Sequence, residues 1–121
     1  MRMEGMIFLH ELSLMQGVLE LAEREAVRHN LKKITSLKLV VGEMTAALPE
    51  ALRFAFESLR SGNLFEEANL EIVEEKLWVR CKDCGNEFRP ELPWLLCPQC
   101  QKARVEFLRG RELYLDYLEG E

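Results

Sequence analysis

The apolar residues Met15, Val18, Leu19, Ala22 and Ala26 recur three or four positions apart, the spacing of one face of an α-helix. Ser13-Leu14-Met15-Gln16 reads as a capping box, in which the serine hydroxyl and the glutamine side chain answer the unpaired N–H groups of a helix start. Together they predict a helix over 13–29. Ile34 to Val41 is short, β-branched and partly alternating, and it stops at Gly42, as a strand does. Pro49 suits the first position of a second helix. Leu52, Ala55, Phe56 and Leu59 continue it at helical spacing, and Gly62 closes it as the residue after the end. Leu70 to Val79 reads as one long strand, and Leu113 to Leu118 as the last. This order predicts an α+β fold, two helices packed on a small β-sheet, with a cysteine-bearing block before the last strand.

Charge and composition set that block apart. Residues 1–79 hold 9 basic and 13 acidic residues, 80–109 hold 6 and 4, and 110–121 hold 1 and 4. The middle stretch also contains all four cysteines and three of the four prolines. The expected organisation is therefore an α+β domain over 1–79 plus 102–121, with an inserted module over 80–101. At 121 residues the chain can bury a core without disulfide staples. Its net charge of −5 argues against a general nucleic-acid or anionic-membrane binder. Met6-Ile7-Phe8-Leu9 is far too short for a signal-peptide core or a transmembrane helix. A cytoplasmic protein with reduced cysteines is the expectation.

Cys81-Lys82-Asp83-Cys84 and Cys97-Pro98-Gln99-Cys100 are separated by twelve residues. A Cys-x2-Cys knuckle aims two thiolates at one ion while nearby backbone N–H groups bond to their sulfurs. Two knuckles supply the four soft ligands of a closed, tetrahedral zinc site. A redox pair would place one such motif at a helix N-terminus after a strand, whereas these two lie in a turn-rich, proline-rich stretch. Gly85 follows the first knuckle, where a tight turn needs positive φ. Four thiolates and Zn²⁺ together bring the module close to neutrality, so Phe88, Trp94 and Phe107 are expected in core or interface packing rather than against nucleic acid.

The segment Leu9-His10-Glu11-Leu12-Ser13 precedes the predicted helix. An imidazole, a carboxylate and adjacent amides suit a borderline ion such as Ni²⁺, although a histidine beside a helix start serves equally as a surface or hydrogen-bonding residue. His29, the other histidine, lies near a helix end where it can cap carbonyls. No phosphate loop, nucleophile elbow or Cys-His pair is visible, so the chain does not read as an enzyme. Two classes stay open: a metal-handling protein, and a zinc-ribbon scaffold or nucleic-acid-associated interaction module.

The whole chain resembles the HypA/HybF nickel-chaperone family of hydrogenase maturation. The resemblance is carried by His10-Glu11-Leu12-Ser13, Val41-Gly42-Glu43, the helix Ala51-Leu52-Arg53-Phe54-Ala55-Phe56-Glu57, Ala68-Asn69-Leu70-Glu71-Ile72, the cysteine block and Gly110-Arg111-Glu112-Leu113. It implies a cytoplasmic protein that binds Ni²⁺ near its N-terminus. That protein delivers nickel, with the GTPase accessory protein HypB, to the large subunit of a [NiFe] hydrogenase. It is expected to act as a monomer or weak homodimer without nucleic acid or membrane. Carried across, His10 is the imidazole ligand and Glu11 contributes its backbone amide and orients the nickel site. Cys81, Cys84, Cys97 and Cys100 hold structural zinc. The family motif is Met-His-Glu at a free N-terminus, whereas nine residues precede His10 here and Leu9 replaces the methionine. Two readings stay open. Translation from position 9 restores Met-His-Glu; a true extension leaves nickel to His10, backbone nitrogens and carboxylates such as Glu11 or Glu43.

Overall fold

The first helix, α1 (Ile7–Arg28), starts nearly two turns earlier than the capping pattern predicts. The computed structural model describes residues 7–121, with side chains from His10 onward. Residues 1–6, and with them the alternative start at position 1, lie outside the described residues. The buried stripe of α1 continues upstream of Met15 through Glu11, so Ser13 falls on the exposed side of an unbroken helix and caps nothing. His10 and Glu11 are therefore inside the helix rather than ahead of it.

The remaining elements are β1 (Ile34–Gly42), a 3₁₀ turn (Glu43–Thr45), α2 (Pro49–Leu59), β2 (Asn69–Glu75), β3 (Trp78–Cys81), β4 (Glu87–Phe88), β5 (Val105–Arg109) and β6 (Leu113–Gly120). Pro49 opens α2 as expected. The helix ends one residue before Arg60, and the positive φ of +74° falls further on, at Gly62 in the following turn. No helix among the described residues is long and apolar enough to cross a membrane.

By their contacts the residues form two units. The first comprises the described residues up to Val40, Ala47–Val73 and Tyr114–Glu121. Here α1 packs on α2, and the sheet has the order β2-β1-β6. Met15, Leu19 and Ala22 of α1, Leu52 and Phe56 of α2, and Ile34, Leu37 and Leu39 of β1 are buried in it. The fold class is thus α+β, two helices with small sheets, as the hydrophobic pattern predicts.

The second unit comprises Val41–Ala46 and Glu74–Leu113, a wider span than the cysteine block alone. It has its own sheet, in the order β4-β3-β5. β3 is antiparallel to β4, with Val79 opposite Phe88, and to β5, with Val79 opposite Phe107 and Cys81 opposite Val105. The long strand expected over 70–79 is therefore two strands in two sheets. The break falls at Leu77, whose N–H donates to Glu43 Oε1 at 2.8 Å instead of joining a ladder. Gly110 faces this break. A Cβ there would lie 2.5 Å from Leu77 Cα, and its φ is +97°, so only glycine lets the two backbones approach. Alternation in sequence carries no mark of such a break.

Candidate metal centres

The core of the second unit is built around its cysteines. Leu77, Val79, Cys81, Phe88 and Cys97 form one buried cluster, with Cys100, Val105 and Phe107 packed against it. Phe88 and Phe107 are thus packing residues, as expected, but Trp94 is 69% exposed. The four sulfurs are unbridged and lie within 4.8 Å of one another. Cys81 and Cys100 sulfurs are 3.5 Å apart, and those of Cys84 and Cys97 3.6 Å. A tetrahedral ion with bonds of about 2.3 Å needs sulfurs about 3.8 Å apart. The cluster therefore fits structural zinc in separation as well as in ligand type.

The two knuckles are the same turn made twice. In the first, the Gly85 N–H donates to the Cys81 carbonyl and the Cys81 N–H to the Asn86 carbonyl. In the second, the Gln101 N–H donates to the Cys97 carbonyl and the Cys97 N–H to the Lys102 carbonyl. Both residues that follow a knuckle are left-handed, Gly85 at φ +80° and Gln101 at φ +63°. Gly85 is flagged by its residue type, whereas Gln101 is not; only aligning the second knuckle under the first would have found it.

Electrostatics follow the same repeat. The N–H of Cys84, joined by that of Asp83, bonds to the Cys81 sulfur and holds that thiol below its ordinary value. Burial opposes ionisation of Cys97 most, yet the N–H groups of Cys100 and Gln99 outweigh it and bring the thiol to about 6. The second cysteine of each knuckle receives an N–H bond from Asn86 or Lys102, but burial and the neighbouring sulfurs prevail. Cys84 is pushed up to about 12, and Cys100 is also raised. Four thiolates at this spacing repel one another, and a dication among them removes that repulsion.

The His10-Glu11 pair belongs to the first unit and is built differently. Glu11 is fully buried, and its Oε2 accepts the Leu48 N–H at 2.7 Å. Its Oε1 is buried without a hydrogen-bond partner among the described residues and faces Nδ1 of the half-buried His10 at 3.9 Å. One carboxylate oxygen is thus committed to structure, and the other is turned toward the imidazole. An unanswered carboxylate oxygen beside an imidazole suits a cation or a charged imidazole. Glu43, the other carboxylate considered for this ion, is engaged in the second unit by the Leu77 N–H and by Arg89 at 3.6 Å. His29 is exposed, 3.8 Å from Glu25 one turn earlier in α1.

Known proteins are similar to this chain along most of its length. A family model described as hydrogenase/urease nickel incorporation, metallochaperone, hypA, matches residues 9–120. The hydrogenase maturation factor HypA of Moorella thermoacetica is 42% identical over 113 residues, spanning 93% of this chain and 100% of that protein. That of Desulfitobacterium hafniense is 39% identical over 115 residues, spanning 93% and 99%. The solution structure of the Ni metallochaperone HypA from Helicobacter pylori aligns with a TM-score of 0.68 at 32% identity, covering 91% of this chain and 96% of that one.

Proposed function

The chain belongs to the HypA family of hydrogenase and urease nickel-incorporation metallochaperones, and on that premise we propose that it takes up Ni²⁺ at His10 and passes it to a hydrogenase precursor. It is a maturation factor rather than an enzyme. The observation that carries the nickel reading is the orphaned Oε1 of Glu11, buried 3.9 Å from the His10 ring. A small rotation of the ring would let Nδ1–H donate to this carboxylate, which would orient the imidazole and leave the lone pair of its other nitrogen for the metal.

Glu11 itself is an unsuitable side-chain ligand, because moving its carboxylate would strand the Leu48 N–H. Its part is to anchor the site and offer its main-chain nitrogen. An amide nitrogen ligates Ni²⁺ only after losing its proton, and helical amides at these positions are tied up in the backbone ladder. Nickel bound through backbone nitrogens therefore requires the start of α1 to open ahead of Leu12. A chain starting at position 9 with methionine has that freedom and also supplies an amine.

Cys81, Cys84, Cys97 and Cys100 hold Zn²⁺, which supplies cross-linking and charge neutralisation to the core of the second unit. The delivery partners are the GTPase HypB and the large subunit of the [NiFe] hydrogenase. The test is a nickel titration of zinc-loaded protein with metal analysis. One Ni²⁺ per chain, taken up without loss of zinc, supports this function. Nickel that enters only by displacing zinc contradicts it.

A further inference from the structure

The four cysteines differ in reach. Cys84 is exposed and Cys100 half-buried, whereas Cys81 and Cys97 lie in the core of the second unit. Each accessible sulfur faces a buried one of the opposite knuckle. Cys84 lies 3.6 Å from Cys97, and Cys100 lies 3.5 Å from Cys81. The second cysteine of each knuckle is thus the outer member of a pair, and the first cysteine of the other knuckle is the inner one.

Hydrogen bonding divides them in the same way. The Cys97 sulfur is held by the main-chain N–H groups of Cys100 and Gln99 and by Asn86 Nδ2 at 3.8 Å. That of Cys81 is held by the N–H groups of Cys84 and Asp83. Cys84 is held chiefly by the Asn86 N–H, and Cys100 by that of Lys102. Each such bond stabilises negative charge on the sulfur and makes it a poorer nucleophile. The outer sulfurs are therefore both easier to reach and more reactive, and each has an inner sulfur in contact to resolve it.

We propose that Cys84 is a peroxide-reactive thiolate resolved by Cys97, and that oxidation exchanges the zinc cross-link of the second unit for the disulfides Cys84–Cys97 and Cys81–Cys100. This rests on reading the cluster as a four-thiolate zinc site. The Cys84 thiolate attacks one oxygen of the hydroperoxide, the O–O bond breaks, and the leaving hydroxide is protonated to water. The Cys97 thiolate then attacks the Cys84 sulfur of the sulfenic acid. The S–S bond forms, the S–O bond breaks, and a second hydroxide leaves as water. Closing the contact from 3.6 Å to a bond of about 2.05 Å is a small movement between two turns. The bonds that close each turn, Gly85 N–H to the Cys81 carbonyl and Gln101 N–H to the Cys97 carbonyl, stay in place. A second peroxide oxidises Cys100, which Cys81 resolves. Altogether two molecules of hydrogen peroxide and four protons turn four thiolates into two disulfides and four waters, and Zn²⁺ is released. Both disulfides join the knuckles, so the turns stay linked without the metal.

The test uses the zinc-loaded full chain and hydrogen peroxide. Zinc in the reduced protein is measured first, and its absence refutes the four-thiolate reading and the proposal with it. Peroxide should then release one zinc ion, read with a chromogenic chelator, for every two peroxides consumed. Cleavage after Glu87 and Glu91 separates the two knuckles, so the expected disulfides keep the fragments joined until a reductant is added. With a single equivalent of peroxide, dimedone should trap sulfenic acid at Cys84, and without dimedone Cys84–Cys97 should be the first bond seen by tandem mass spectrometry. Disulfides confined within a knuckle, first oxidation at Cys81 or Cys97, or zinc retained under excess peroxide overturn the proposal and leave the zinc site itself standing.

Discussion

The Oε2 atom of Glu11 accepts the main-chain N–H of Leu48 at 2.7 Å and thereby ties the start of α1 to the start of α2. Leu48 is the N-cap of α2 and has no side-chain acceptor to offer. A carboxylate from another helix does what a local cap cannot, and its charge complements the positive end of the α2 dipole. Removing it leaves a helix-start N–H unanswered, so Glu11→Ala should cost about 2 kcal/mol. Glu11→Gln retains an acceptor oxygen and should lose less. Urea unfolding followed by helical circular dichroism measures both. Equal stability of Glu11→Ala and the parent would remove the capping role.

Cys97 is fully buried at the centre of the second unit's core. Cys97→Ala should release zinc and unfold this unit, because the binding free energy of a closed site is folding free energy. The helices should persist, since Met15, Leu52 and Phe56 pack in the other unit. Zinc analysis and far-ultraviolet circular dichroism give the two readouts. A variant that keeps one tightly held zinc bound by four sulfurs refutes the assignment.

Gln101 occupies a left-handed position that its counterpart Gly85 occupies without a Cβ. Gln101→Gly should therefore stabilise the second knuckle by about 1 kcal/mol. A Cβ on Gly85 would meet nothing within 4 Å, so Gly85→Ala should destabilise the first knuckle through φ strain alone. Thermal unfolding of the zinc-loaded protein compares them. If both substitutions shift stability in the same direction, the equivalence of the two turns fails.

The contrast between α1 and the cysteine block shows what is legible in a sequence. Periodicity places Met15 to Ala26 on one helical face correctly, because burial and spacing there agree. It misplaces the helix start, because Glu11 lies on the buried face as a carboxylate, and a hydrophobic pattern does not count it. The metal-fitting cluster is legible from two Cys-x2-Cys pairs, whose spacing is that of a four-thiolate site. The division of 70–79 into two strands is not, because it depends on Gly110 and Glu43, both remote in the chain. The role of Leu48 is equally hidden, since it offers only its main-chain N–H, whereas that of Gln101 emerges only when the second knuckle is aligned under the first.

The Glu43 carboxyl is held below its ordinary value of 4.5, first by the Leu77 N–H and then by Arg89. A folded-state pKa below the unfolded one contributes stability that is fully present above the unfolded value and is lost as pH falls through the folded one. Glu43→Gln should therefore destabilise the second unit at neutral pH. The gap to the parent should close as pH falls below 4.5. Thermal midpoints of parent and variant, taken across that range, check this. A gap that widens in acid contradicts it.

Nickel uptake at His10 is the central claim, and a comparison of His10→Ala with His29→Ala under direct nickel titration tests it most directly. Neither histidine belongs to the cysteine cluster, and neither is buried, so zinc content and fold should survive both changes. His10→Ala should lose specific Ni²⁺ binding, and His29→Ala should keep it. The chain shortened to begin Met-His-Glu at position 9 should bind more tightly than the 121-residue chain. It should also show the yellow absorption of square-planar nickel bound by nitrogen. His10→Ala binding Ni²⁺ as well as the parent, in either length of chain, would contradict the account.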